Sequence, residues 1–183
     1  CKESVELIKN AKNEGLNIGC STPLMHLVYD DSETENFNEN YKFIPPLRSK
    51  DDINFLKSGL IDGTIDMVCS MHEPLNSELK DIEFINSTPG SISLEAVFGI
   101  LSKIFPLEKV IDLLTKGHEY FLKKKNTVNE NSVANLTLFF PDIESEFNES
   151  KIFSKSKNCA FLNNKINGEV YGIVNDKKIL IKS

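Results

Sequence analysis

The chain has no tryptophan, only three histidines and no long uninterrupted run of apolar residues in its 183 positions. A helix that crosses a bilayer needs roughly 18 to 20 consecutive apolar residues, and a secretory signal has a basic, then apolar, then small-residue pattern. The sequence shows neither pattern. Because the net charge is −6 and no basic stripe with interleaved aromatic residues exists, nucleic acid is not expected as a partner. We therefore expect a cytoplasmic protein that binds neither membranes nor nucleic acid.

The four cysteines, Cys1, Cys20, Cys69 and Cys159, lack the paired spacing of disulfide frameworks and zinc knuckles. We expect free thiols that are buried in apolar surroundings. With 40% apolar and 26% charged residues, the composition is that of a folded chain rather than a disordered one. The length is sufficient for one hydrophobic core.

Apolar periodicity and capping residues predict helices in the first two thirds of the chain. Ser4 is the predicted cap of the first helix, Gly15 its end, and Ser49 with Asp52 resembles a capping box. The predicted helices cover residues 4–15, 49–62 and 94–105, and a further helix follows Pro106 with Val110, Ile111 and Leu114 on one face.

Apolar and β-branched stretches predict strands that alternate with these helices and then dominate the end of the chain. The predicted strands cover residues 16–20, 64–70, 136–140, 169–174 and 178–181. Asn175-Asp176 is typical of a hairpin turn between the last two. Residues 30–40 carry five carboxylates and no basic residue, which favours a solvated loop. The order of elements predicts an α/β fold.

Residues 62–74 read Asp-Gly-Thr-Ile-Asp-Met-Val-Cys-Ser-Met-His-Glu-Pro. This stretch resembles the segment in which dihydroorotases, the zinc-dependent cyclic amidohydrolases of pyrimidine synthesis, carry Asp-Gly-Thr-Ile-Asp followed by Ser-Asp-His and a proline. Further stretches resemble the type found in Bacteroidetes: Pro-Pro-Leu-Arg at 45–48, Ala-Asn-Leu-Thr-Leu-Phe at 134–139, Ser-Lys-Ser-Lys-Asn at 154–158 and Gly-Glu-Val-Tyr-Gly at 168–172. The resemblance covers nearly the whole chain, as the C-terminal portion of such a protein.

This resemblance implies the C-terminal part of a metal-dependent-hydrolase-type (β/α)8 barrel over residues 1–125. Residues 126–183 would then supply the C-terminal strands of a small β domain. A complete barrel takes about 250 residues. The family's His-x-His pair on the first strand, its bridging lysine or aspartate and its first later histidine would therefore lie upstream of Cys1.

Two metal-ligand positions of the family fall inside the chain. The histidine after the sixth barrel strand falls on Met25, or on His26 if the alignment shifts by one residue. The aspartate after the eighth strand, which binds zinc and acts as the general base in the family, falls on Met71. Zinc is therefore not expected in this chain, and His26 and His72 are weak substitute ligands.

Three positions correspond to substrate-binding residues of the family: Ile44 replaces an asparagine before the Pro-Pro pair, Leu75 replaces a histidine, and Gly90 is retained. His72 at a strand end and His118 between helices are more typical of structural and surface residues than of ligands. Carboxylates at 62, 66 and 73 also suit caps and turns better than paired acid–base chemistry.

The resemblance implies a role in the zinc-dependent, reversible hydrolysis of the cyclic amide of dihydroorotate to carbamoyl aspartate. Since the metal and general-base residues are missing, we expect no hydrolysis by this chain as it stands. Several alternatives stay open. The chain could belong to a split enzyme with a separate N-terminal half, form a homo-oligomer, serve as a non-catalytic partner of aspartate carbamoyltransferase, or be a decayed gene product.

Overall fold

A computed structural model describes residues 1–117, 119–122 and 128–182. The helices are α1 Lys2–Asn13, α2 Lys50–Asp62, α3 Ser77–Lys80, α4 Val97–Ile104, α5 Leu107–Thr115 and α6 Glu119–Leu122. The strands are β1 Ser21–Pro23, β2 Met67–Cys69, β3 Asn135–Glu146, β4 Lys165–Asn175 and β5 Lys178–Ile181. His118 and the predicted domain boundary at 125 lie outside the described residues. None of the helices in these ranges has the length and hydropathy needed to cross a bilayer.

The first helix begins before its predicted cap. Cys1 precedes the first helical residue and makes no side-chain cap hydrogen bond. The hydroxyl of Ser4 lies 3.2 Å from Cys1 Sγ, inside the first turn, so Ser4 is not the cap. The predicted end is confirmed, because Gly15 follows the helix with φ +83°.

The second helix has the predicted boundaries. Ser49 precedes it, and the Ser49 hydroxyl accepts a hydrogen bond from the Asp52 amide at 3.3 Å. Gly63 ends it in the left-handed region, with φ 82°. Both signals act within a few residues, which is why the sequence alone predicts them.

The two predicted barrel strands are shorter than expected, and the first is displaced. No strand forms at residues 16–20; the Cys20 amide donates to the Asp66 carboxylate at 2.7 Å, and the Cys20 carbonyl accepts from the Asp66 amide at 3.0 Å. The strand follows directly, as β1. It pairs in parallel with β2, in register Ser21 with Met67 and Pro23 with Cys69. The remaining residues of 64–70 lie outside the ladder.

The predicted helix at 94–105 forms as a 3₁₀ turn, Leu94–Ala96, followed by α4. Pro106 precedes α5 as predicted. The predicted face of α5 is partly wrong: Val110 and Leu113 are buried, whereas Ile111 is 39% exposed. Packing against neighbouring elements, which periodicity cannot show, determines the buried face.

The last three strands form an antiparallel sheet in the order β3-β4-β5. Strands β3 and β4 are longer than predicted and contain register shifts after Leu138 and Phe140. The predicted hairpin between β4 and β5 is confirmed, with Asn175 paired to Lys178 and Asp176 at φ 53°. All four cysteines are free, and Cys159 is buried, while the other three are partly exposed.

One hydrophobic core joins the early helices to the C-terminal segment. Phe147, Phe161 and Ile166 pack in the same cluster as Leu24, Leu60 and Leu101. The Tyr29 hydroxyl donates to the Ala160 carbonyl at 2.7 Å across this core. Val68 of β2 and Leu24, which follows β1, belong to this cluster, so the core anchors the carboxyl ends of both strands.

Candidate functional site

Met25 and Met71 lie just beyond the same edge of the parallel sheet. Because Pro23 pairs with Cys69, the ends of β1 and β2 lie side by side. Each methionine follows its strand end by two residues. The carboxyl ends of parallel strands are where α/β folds place ligand-binding residues.

The two methionines line one small cavity of about 20 Å³. This volume is close to what a single water molecule needs. The lining comprises Pro23, Met25, His26, Phe43, Ile44, Met71, Glu73 and Gly90. The structure therefore brings together five of the seven predicted site positions. His72 and Leu75 are not in this lining.

The backbone at Met71 is unusual. Met71 has φ 49° and is 43% exposed, whereas Met25 is almost completely buried. Aspartate and asparagine adopt such positive φ values several times more readily than other non-glycine residues. The backbone conformation at position 71 is thus more typical of aspartate, which the family that the sequence resembles carries there, than of methionine.

His26 is held as a neutral imidazole. Its Nε2 lies 3.1 Å from the Pro45 carbonyl oxygen and 3.2 Å from that of Pro46, and it must donate because both oxygens only accept. Burial lowers the pKa of the imidazole. Its Nδ1 is buried without a hydrogen-bond partner in the described part of the chain.

His72 has a structural role. Its Nδ1 accepts hydrogen bonds from the amides of Ser93 at 3.2 Å and Leu94 at 3.1 Å. His72 also forms an isolated parallel bridge with Ser91. These contacts fix the start of the turn before α4 and leave the Nδ1 lone pair unavailable to a metal.

The three carboxylates considered from the sequence lie in different environments. Asp62 forms an ion pair with Lys9, and Asp66 forms one with Lys12, both at 2.8 Å. Asp62 and Asp66 therefore connect α1 to the end of α2 and the strand that follows. Glu73 lines the cavity beside Gly90, where an added Cβ would lie 2.8 Å from Glu73 Oε2. Glycine at position 90 leaves room for that carboxylate.

Two features of the structure were not predicted from the sequence. Asn158 connects the segment after β2 to Gly90: its Nδ2 donates to the carbonyls of Glu73 at 3.0 Å and Gly90 at 3.4 Å, and its Oδ1 accepts from the Leu75 amide at 3.2 Å. The stretch 154–158 resembled the family, but nothing in it indicated these distant partners. A buried lysine, Lys80, also donates to the Thr88 carbonyl at 3.1 Å, and burial lowers its pKa to about 8.

A second, larger cavity of about 500 Å³ lies between α4 and the antiparallel sheet. Its apolar lining includes Leu94, Phe98, Phe153, Ile173, Leu180 and Ile181. It contains none of the predicted site positions.

Met25 and Met71, at the two metal-ligand positions that the resemblance assigns, do not fit the zinc that it implies. Zinc sites use imidazole, thiolate and carboxylate ligands, and a thioether is none of these. Within the described ranges, one group of three potential ligands lies close together, Cys1, Glu3 and Asp52. It lies at the starts of α1 and α2, away from the strand ends, and Asp52 already accepts hydrogen bonds from Lys2 and Ser49.

Comparisons with known proteins agree with this arrangement. The chain is 33% identical to a dihydroorotase of Caldicellulosiruptor saccharolyticus over 99% of its own length and 44% of that protein. It is 31% identical to a dihydroorotase of Geotalea daltonii with the same coverage. The chain is related to the C-terminal part of dihydroorotases. It spans less than half the length of these relatives.

The fold is shared with hydantoinases. One D-hydantoinase structure superposes with a TM-score of 0.84 at 25% identity, covering 100% of this chain and 43% of that protein. An L-hydantoinase from Arthrobacter aurescens superposes with a TM-score of 0.83 at 21% identity, covering 99% and 43%. The dihydroorotase-related chain therefore has the fold of the C-terminal part of an amidohydrolase (β/α)8 barrel with a small antiparallel sheet. No protein-family model matches it. The finer resemblance to the Bacteroidetes type stays a prediction.

Proposed function

We propose that this dihydroorotase-related chain does not hydrolyse dihydroorotate as it stands. The proposal is supported above all by the thioethers of Met25 and Met71 at the adjacent ends of β1 and β2. These are the positions at which the resembling family holds a metal-binding histidine and the aspartate that binds zinc and serves as general base.

The chemistry of the family reaction requires groups that these side chains lack. A zinc-bound water becomes a nucleophile at neutral pH when the metal lowers its pKa, and a base then accepts its proton. A thioether carries no charge and accepts no proton at ordinary pH. His26 does not stand at the position of the family's general base, which falls on Met71.

The first test measures ring opening of dihydroorotate by the purified chain, and zinc per chain after dialysis. We expect no turnover above buffer and less than one zinc per chain. Met71→Asp alone is expected not to restore turnover, since the histidine pair and bridging ligand of the family are absent from the 183 residues. Turnover by the wild-type chain, or stoichiometric zinc, would contradict the proposal.

A non-catalytic partner role is the second candidate, and exposed apolar surface favours it. Phe153 is 83% exposed and Leu180 is 68% exposed beside the 500 Å³ cavity. Exposed apolar patches of this kind mark interaction surfaces. The partner would be a separate N-terminal barrel half or aspartate carbamoyltransferase.

This second candidate is tested by mixing the purified chain with each purified partner and measuring complex mass by light scattering. A complex with either protein supports the role, and Leu180→Glu should weaken it. Val128→Glu, at a position in another segment that is 82% exposed, is the control. If neither mixture forms a complex, the partner role is wrong.

A further inference from the structure

The chain contains three methionines, and two of them occupy the metal-ligand positions of the resembling family. Met25 and Met71 stand at equivalent places, two residues beyond the paired strand ends Pro23 and Cys69. Both line the cavity of about 20 Å³. Sulfur donors have thus replaced the family's ligands at both positions, although methionine is scarce in this chain.

The side chain of His26 also lines this cavity. Since Nε2 carries the proton, the Nδ1 lone pair is free, and the side chain is only 7% exposed. Nδ1 has no hydrogen-bond partner among the described residues. A buried acceptor without a partner destabilises the fold, and a ligand on Nδ1 would remove that penalty.

The donor set determines which ion fits. Thioethers are soft ligands that select copper(I), whereas imidazole is shared by copper and zinc. We propose that Met25, His26 and Met71 form a binding site for a soft monovalent cation, copper(I) in the reducing environment of a cell. Met71 is 43% exposed, which gives the ion a path to the cavity. The carboxylate of Glu73, which lines the same cavity, supplies a compensating negative charge.

This proposal is independent of the proposed lack of hydrolysis, because it is read out by binding alone. The four free cysteines also bind copper(I), so they must first be removed. In a background with Cys1, Cys20 and Cys69 changed to serine and Cys159 to alanine, copper(I) is titrated without oxygen against the chelator bicinchoninate. We expect one copper(I) per chain, and no comparable binding of zinc(II) in a parallel titration.

Matched variants assign the ligands. Met25→Leu combined with Met71→Leu keeps side-chain volume and is expected to weaken copper(I) binding at least about tenfold. Met67→Leu, at the third methionine, lies outside the cavity lining and should leave the affinity unchanged. Circular dichroism checks that each variant folds.

A second measurement uses the same cysteine-free chain with Met25 and Met71 intact. A metal-bound thioether resists oxidation, so silver(I), a redox-stable stand-in for copper(I), should protect Met71 from hydrogen peroxide in that chain. Peptide mass spectrometry quantifies the sulfoxide, with Met67 as the internal reference. Three results of the titrations would overturn the proposal: no copper(I) bound to the cysteine-free chain, equal affinity in the double variant and its parent, or equally strong binding of zinc(II). Oxidation of Met71 that silver(I) leaves unchanged would also overturn it.

Discussion

Asn158 fixes the wall of the methionine cavity from a distance. Its amide reaches the backbone of Glu73, Leu75 and Gly90 and is itself 8% exposed. Leu75 precedes Asn158 by 83 positions, so no local sequence pattern could reveal this contact. By contrast, the resemblance assigns family positions to Met71 and to Met25, or to His26 if the alignment shifts by one residue, and this assignment stays a prediction.

Asn158→Ala should destabilise the fold and loosen the segment after β2. Removing the amide leaves the carbonyls of Glu73 and Gly90 and the Leu75 amide without this partner, at a cost of about 2 kcal/mol. Urea unfolding measures the loss, and hydrogen exchange should show faster exchange at the Leu75 amide. Asn36→Ala, at an exposed position, is the control and should change neither quantity. Unaltered exchange at Leu75 in the Asn158 variant would contradict this role.

At the scale of single elements, local signals predicted the ends of α2 but not the start of α1, where Ser4 lies inside the first turn. The cap at Ser49 and the end at Gly63 depend on neighbours within the helix, and both were predicted. The position of β1 was not, since it depends on pairing with β2, which lies 46 positions further along the chain. Burial on α5 likewise depends on which elements pack against it.

The ion pair between Lys9 and Asp62 joins α1 to the end of α2 and should make stability depend on pH. Hydrogen bonds from Lys9 and then from Thr64 lower the pKa of Asp62 to about 2, below the unfolded value of about 3.9. The stabilisation is therefore present above about pH 4 and is lost as the pH falls towards 2. Because both side chains are about half exposed, it should amount to less than about 1 kcal/mol.

Asp62→Asn tests this pH dependence. The variant should be slightly less stable than wild type at pH 7 and equally stable near pH 2, as measured by thermal unfolding across the range. Glu14→Gln, an exposed carboxylate at the end of α1, should show no such convergence. A stability difference that stays constant from pH 7 to pH 2 would show that the ion pair is not its source.

Close packing of α4 on β4 gives a second prediction for elements. A Cβ added at Gly99 would lie 2.7 Å from Ile166 Cβ, too close without movement of the backbone. Gly99→Ala should therefore cost about 1–3 kcal/mol, although alanine usually stabilises a helix. At Gly59 in α2 the nearest atoms are side-chain ends of Val5 and Ile65 at 3.1 and 3.2 Å, which can shift. Gly59→Ala should be nearly neutral in the same unfolding experiment; an equal loss in both variants would contradict the argument.

For the whole molecule, the resemblance predicted the barrel-derived fold that composition alone could not. The proposed division at about residue 125 stays a prediction. The hydrophobic core crosses it: Ile166 packs against Gly99, and Tyr29 bonds to Ala160. We expect the two parts to unfold in one transition, because separate transitions require separate cores.

The isolated chain should associate, since its surface is unusually apolar for a monomer. Strands β1 and β2 form a two-stranded parallel sheet in the described residues, and small parallel sheets are normally covered by further strands and helices. The face around the 500 Å³ cavity exposes Phe153, Leu180 and Ile181. Association would remove these side chains from water. Each Å² of apolar surface buried would stabilise the associated state by roughly 25 cal/mol.

Light scattering on the purified wild-type chain should give a mass above 20.6 kDa that rises with concentration. Leu180→Glu should lower that mass, because a carboxylate buried in an apolar contact is costly. Val128→Glu introduces the same charge at an 82% exposed position outside the cavity lining and should not. A stable monomer with one cooperative thermal transition would mean that this part of a barrel needs no covering. Its exposed apolar face would then be compatible with water, and the partner role built on that face would lose its support.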